Sequence, residues 1–174
     1  MKRGERGYTL LELIIGIGIM TLTTGAAAGG IYQSMINTEH NSNHMTAVLQ
    51  VQNAGNKISL DVHRAQIITT VEELSDPDFL FLSWIDAISG DKFEVTYTYQ
   101  EMETGSLRKL MRTYSINDAG NQTSLVSRDI DYSGAMTTCN FTDGLFNLKI
   151  TSTIGTGPSA STETRIYRIF PRPG

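Results

Sequence analysis

The sequence predicts an α+β fold: one long N-terminal helix whose second half packs against an antiparallel β-sheet. Two observations carry that prediction. From Tyr8 to about Ile67 there is no proline, and apolar residues occur first on all sides and then at helical spacing. Beyond residue 67 the period switches to alternation, clearest in Lys92-Phe93-Glu94-Val95-Thr96-Tyr97-Thr98-Tyr99, and turn dipeptides punctuate the rest.

The first part of the predicted helix, residues 8–32, is apolar all round, and no residue from Leu13 to Thr38 is charged. Roughly 20 apolar residues suffice to cross a bilayer, so this part is assigned to a transmembrane segment. Gly16, Gly18, Gly25, Gly29 and Gly30 fall within it. In lipid such residues permit close helix packing, and in water each costs about 1 kcal/mol of helix stability relative to alanine. The second part, 33–67, reads as amphipathic, with Met45, Val48, Val51, Ile58, Val62 and Ala65 three, four or seven residues apart and Gly55 allowing a close approach. That stripe needs a surface to cover, and the sheet of residues 68–174 provides it.

Within the sheet, Lys92–Tyr99, Leu107–Tyr114, Ser124–Ile130, Leu145–Ile154 and Glu163–Phe170 read as strands. Phe79-Leu80-Phe81-Leu82 reads as a buried strand or a loop plug, with Trp84 as an anchor. Turns fall at Gly90-Asp91, Thr104-Gly105-Ser106, Asp118-Ala119-Gly120-Asn121 and Asp143-Gly144.

Composition removes several function classes. The formal charge is −4, and without the first seven residues it becomes −6, from 11 basic and 17 acidic residues. A mildly acidic chain with no Lys/Arg cluster has no electrostatic footprint for nucleic acid, and none is predicted as a direct partner. Cys139 is the only cysteine, which excludes an internal disulfide, and Phe141, Leu145 and Phe146 nearby mark it as a buried small apolar residue.

The start of the chain is the informative part. Lys2, Arg3 and Arg6 form a basic leader that ends at Gly7, and Gly7-Tyr8-Thr9-Leu10-Leu11-Glu12 then places one carboxylate at the head of the apolar run. An ionised carboxylate near a bilayer centre costs about 2.5–3.5 kcal/mol or more, so Glu12 calls for a partner or a task. Thr9-x-x-Glu12 also matches a helix capping box, and capping and pairing are compatible at different stages. A secretory signal peptide is the rival reading, with cleavage near Ala26-Ala27-Ala28. Glu12 inside its hydrophobic region argues against it.

The motif G-Y-T-L-L-E after a basic leader resembles the N-terminus of type IV pilins and of the pseudopilins of type II secretion, with Tyr8 where Phe is commonest. The resemblance implies a leader of residues 1–7, cleaved by a prepilin peptidase between Gly7 and Tyr8, and N-methylation of Tyr8. It implies a helix that enters a filament core, where Glu12 pairs with the Tyr8 amine of a neighbouring subunit, and a soluble pilin-like domain over residues 33–174. The implied partners are other pilin or pseudopilin subunits, the peptidase and a membrane assembly platform. The implied location is the cytoplasmic membrane and then a pilus or pseudopilus. Such a helix is expected to bend or unwind near Gly25–Gly30 in an assembled filament.

Many major pilins close a C-terminal loop with a cysteine pair, and the lone Cys139 departs from that pattern, which favours a minor component. Asn56-Lys57-Ile58-Ser59-Leu60-Asp61-Val62-His63-Arg64-Ala65, Leu107-Arg108-Lys109-Leu110-Met111-Arg112 and Ile166-Tyr167-Arg168-Ile169-Phe170 are similar to J-type pseudopilins and W-type minor pilins.

Other chemistry is weaker. Glu39-His40 and His44 share a helix face but supply no third zinc ligand, and a solvated polar patch is the better reading. Asp76-Pro77-Asp78, Asp129, Asp131 and Asp143 lack the EF-hand pattern and read as turn formers. No nucleophile elbow occurs, and no enzyme, metal or cofactor is predicted. The rival of another class is a membrane-anchored or secreted β-domain binding protein or adhesin.

Overall fold

A computed structural model describes residues 9–102, 105–133 and 135–171. They form one helix, α1 (Leu10–Val62), eight strands and a short 3-10 turn (Gly157–Ser159). The predicted α+β architecture is the observed one, a long helix packed on an antiparallel sheet.

α1 is 53 residues long, about 80 Å at about 1.5 Å per residue. It runs without interruption through Gly25–Gly30 in the isolated chain. Its outer half is free of the domain: the first side chain to hydrogen-bond the domain is that of Glu39, whose Oε1 accepts a 2.9 Å bond from Ser159 Oγ. Roughly 30 helical residues, about 45 Å, therefore project from the sheet.

Two details of the helix differ from the sequence expectation. It ends at Val62 rather than near Ile67: the Asp61 carbonyl accepts from the amides of both Arg64 and Ala65, and Ile67-Ile68-Thr69-Thr70 enters a strand as β-branched residues favour. The buried stripe is Ala47, Val51, Ala54, Ile58 and Val62, with Ala65 still in the core although it has left the helix. Met45 is 62% exposed, because it lies on the flank of the helix where the sheet gives no cover. Small side chains at Ala47 and Ala54 bring the sheet close to the helix backbone.

The strands are β1 (Ile67–Thr70), β2 (Asp78–Ile85), β3 (Lys92–Glu101), β4 (Leu107–Ile116), β5 (Ala119–Asp131), β6 (Thr138–Thr142), β7 (Leu145–Ile154) and β8 (Ser161–Ile169). They pair in the order β1-β2-β3-β4-β5-β7-β6, with β8 added to β7. β5 and β7 join through one pair, Ile130↔Ser152, so a five-stranded meander and a three-stranded unit meet at a corner. α1 packs on β5, β7 and β8. Val51, Ile58 and Val62 fill the core against Leu80, Val95, Leu110, Ile130, Leu148 and Ile150.

All five predicted strands occur, and Phe79–Leu82 is a strand rather than a loop plug. β1 and β6 were not predicted. The β4–β5 turn sits at Asn117-Asp118, one residue before the predicted segment, where both residues have φ near +55° (51 and 60) and close the pair Ile116↔Ala119. That is a two-residue primed hairpin, a conformation asparagine and aspartate tolerate. Asp143-Gly144 makes the equivalent turn between β6 and β7, with φ of 53° and 75°.

Candidate assembly site on the N-terminal helix

Gly7 and Tyr8 lie outside the described residues, and Thr9 is the N-cap of α1. Thr9 Oγ1 accepts a 3.3 Å bond from the Glu12 amide, so the threonine half of the capping box is formed. Glu12 stands in the first turn, where a carboxylate is favoured by the helix dipole. Its side chain is exposed, and no second described group meets it. Four residues on, Gly16 faces open space, so Glu12, Leu13, Gly16, Ile17 and Met20 line a shallow, largely apolar groove.

The rest of the projecting helix has the character of a surface built for a nonaqueous neighbour. Leu10, Leu11, Leu13, Ile14, Met20 and Leu22 are each more than half exposed. Thr21 Oγ1 donates to the Gly18 carbonyl at 2.9 Å and Thr23 Oγ1 to the Ile19 carbonyl at 3.0 Å. These hydroxyls are satisfied within the helix and place no unmet donor in a hydrocarbon phase. This helix is long and apolar enough to cross a membrane, and none of its most apolar stretch is buried by the domain.

A polar foot begins where the apolar run stops. Asn43 Nδ2 donates to the Ser159 carbonyl at 2.9 Å, and Ser161 Oγ lies 3.3 Å from His44 Nδ1. Glu39 thus meets the turn before β8 at Ser159 and His44 meets the first residue of β8, and they do not converge with His40. Among the described residues no three His, Cys, Asp or Glu side chains are placed to hold a metal ion. The aspartates weighed for calcium have local tasks: Asp76 Oδ1 accepts from Tyr132 Oη at 3.0 Å, Asp131 Oδ1 accepts from Ser133, and Asp143 forms the β6–β7 turn. Burial raises the pKa of Asp129 above the usual carboxylate value.

At the far end of α1 lies a buried charge network. Arg112 on β4 donates to Asp61 through Nε at 2.7 Å and through Nη2 at 3.1 Å, and Tyr97 Oη on β3 donates to the same carboxylate at 2.5 Å. Asp61 sits in the last turn of the helix, where its charge opposes the dipole, and this two-pronged bond offsets that cost. Burial, then the neighbouring carboxylate, pushes the Tyr97 pKa far up, so its hydroxyl is a permanent donor. Desolvation pulls the Arg112 pKa down, and the bond to Asp61 more than restores it. The signal in the sequence was an aspartate three residues after Ile58 on an apolar stripe. Its partner is 51 positions away and is invisible to any local pattern.

Two further contacts set the helix against the sheet. Gln50 Oε1 accepts from Ser127 Oγ and from the Arg128 amide, each at 2.8 Å, which ties α1 to β5. Gly55 lies under the ring of Tyr167 on β8, where an added Cβ would fall 2.1 Å from Cζ. Cys139 is buried, donates to the Phe79 carbonyl at 3.5 Å, and has its thiol pKa pushed up to about 12 by burial. It is the inert core residue that the sequence indicates.

Comparison with protein-family models, with curated proteins and with solved structures returns no match.

Proposed function

We propose that this chain is a structural subunit of a type IV pilus or type II secretion pseudopilus, a minor pilin or pseudopilin. In this reading a prepilin peptidase cuts after Gly7, Tyr8 becomes an N-methylated terminus, and the subunit waits in the cytoplasmic membrane by its first helix. A membrane platform then transfers that helix from lipid to the filament core, where the Glu12 carboxylate and the Tyr8 amine of a neighbour neutralise each other. The chain performs no catalysis, and the β domain contacts other subunits.

The observation that carries the reading is the division of α1. One half packs on the sheet; the other projects about 45 Å, is apolar all round as far as Tyr32, and bears a single carboxylate in its first turn. A simple anchor needs the apolar half but has no use for Glu12, whose burial in lipid is costly. An assembly helix needs both. The groove at Glu12, Leu13 and Gly16 is a surface on which another helix can approach closely.

The test is Glu12→Ala in the native host. Stable protein in the membrane with loss of filament incorporation is the expected result. Unchanged incorporation or unchanged function supports the rival, a membrane-anchored binding protein, and ends the assembly role of this carboxylate.

A further inference from the structure

The turn between β2 and β3, Asp86-Ala87-Ile88-Ser89-Gly90-Asp91, holds small or turn-forming residues at every position but one. The exception is Ile88, which is 98% exposed and gives its own domain nothing. A lone apolar residue on a surface is ordinary. One held on a fixed support is prepared for a partner, because little freedom is left to lose on binding.

The support here is double. Asp86 Oδ1 accepts from the Ile88 and Ser89 amides at 2.9 Å each, the Gly90 amide donates to the Asp86 carbonyl, and the Asp86 amide donates to the Asp91 carbonyl, both at 2.9 Å. The β4–β5 turn braces this one: Asn117 Nδ2 donates to Asp91 Oδ1 at 2.8 Å, and Asn117 Oδ1 accepts from the Lys92 amide at 2.9 Å. The two turns form one tip beyond the end of α1, since the Ile85 amide donates to Gln66 Oε1 just past that end. The tip carries the carboxylates of Asp86, Asp91 and Asp118, and its lysine, Lys92, is already paired with Glu94.

A groove of the opposite character lies on the side of the same domain, between the last turns of α1 and β5, with a volume of about 320 Å³. Leu60, Leu125 and Val126 make its apolar floor, and Asn56 and Lys57 line it from the helix. Leu60 is 59% and Leu125 43% exposed, so the domain leaves that floor open. No carboxylate lines the groove. Lys57, and Arg64 four residues beyond Leu60, make no ion pair among the described residues.

We propose that the tip of one copy of this chain docks in the groove of a second copy, with Ile88 on the floor of Leu60 and Leu125 and the tip carboxylates beside Lys57 and Arg64. Tip against tip is excluded as the contact, because it sets carboxylates against carboxylates. The contact is heterologous, joining two different patches of the same chain. Burial of Ile88 supplies the attraction, and the charges select the pairing. The proposal stands on two surfaces of the domain and holds whether or not the chain enters a filament.

The experiment uses the full chain in detergent micelles, with one cysteine added at an exposed position beside each surface: Ala87→Cys in a tip chain and Asn53→Cys in a groove chain, the buried Cys139 left in place. Under a mild oxidant, tip chains mixed with groove chains cross-link about ten-fold faster than tip with tip or groove with groove. Association through the N-terminal helix is common to all three mixtures and does not produce the difference. Ile88→Glu in the tip chain removes the advantage and Lys57→Glu in the groove chain reduces it, while Trp84 fluorescence reports that each domain is folded. Equal rates in the three mixtures, or an advantage that survives Ile88→Glu, overturns the proposal.

Discussion

Replacing Asp61 by asparagine removes one charge and keeps the shape, so it isolates the electrostatic part of the network that joins the helix end to β3 and β4. The Asp61 side chain is 5% exposed and that of Arg112 is 13% exposed, so water does not replace the lost partner. Breaking a buried pair from one side typically costs about 3–5 kcal/mol. The slight exposure of Arg112 places the expected cost near the lower end, about 3 kcal/mol, against a total domain stability of about 5–15 kcal/mol. At about 3–6 °C per kcal/mol for a domain of this size, the midpoint of thermal unfolding falls by about 10–15 °C.

Trp84 is the only tryptophan, and it stacks on Phe93 at 5.5 Å in the sheet, so its fluorescence reports the domain and not the membrane helix. The triple replacement Asp61→Leu, Arg112→Met and Tyr97→Phe is expected to recover most of the loss, since a buried pair exchanged for apolar packing is often neutral. Glu94→Gln is the control. It opens the half-exposed Lys92–Glu94 pair and is expected to cost under about 1 kcal/mol. A loss at Asp61→Asn no larger than that of the control refutes the reasoning.

Three further outcomes follow from the geometry. Gly55→Ala is expected to destabilise the domain by about 1 kcal/mol, because overpacking against Tyr167 outweighs the helix propensity gained, and to stabilise it by a similar amount in a Tyr167→Ala background; the same sign in both backgrounds counts against the contact. Cys139, with its thiol pKa raised to about 12, is expected to resist alkylation in the folded chain at pH 8 and to react once urea unfolds it, and rapid native labelling contradicts its burial. The Ser89 and then the Ile88 amides hold the Asp86 carboxyl below its ordinary value of 3.8, so the order they give the β2–β3 loop is present above that pH and is lost as pH falls through the lowered value. An NMR titration of Asp86 with a midpoint at or above 3.8 removes that support.

The fold was legible where one physical constraint acts on many consecutive residues. A bilayer-length run must exclude charge throughout, so the projecting half of α1 and the anomaly of Glu12 are plain in the sequence. The long strands are equally plain, because a sheet with one buried face imposes alternation over eight or more residues. Short or distant features were not. β1 is four residues long and continues the apolar spacing of the helix, so periodicity assigned Ile67 to α1. β6 had a usable signal, since an Asp-Gly turn before β7 implies a paired strand on its other side, in Thr138-Cys139-Asn140-Phe141-Thr142. Asp61 stood among stretches noted for their family resemblance, yet its physical role needs Tyr97 and Arg112, which only the folded sheet brings to it.

The place of β8 at the margin of the sheet, paired with β7, belongs to the same class of feature. Alternation marks a strand but does not reveal which strand is last in the sheet. The contacts of Glu39 and Asn43 with Ser159, and of His44 with Ser161 at the start of β8, likewise follow from tertiary packing, and they fix where the domain begins relative to the apolar run.

The central claim is that Glu12 heads a helix released by cleavage after Gly7 and retained in an assembly. The mass of the N-terminal peptide of the mature protein, isolated from its native host, tests it most directly. The account predicts a chain that starts at Tyr8 with one added methyl group on its amine. A chain that starts near Gly29, with the apolar helix discarded, contradicts it.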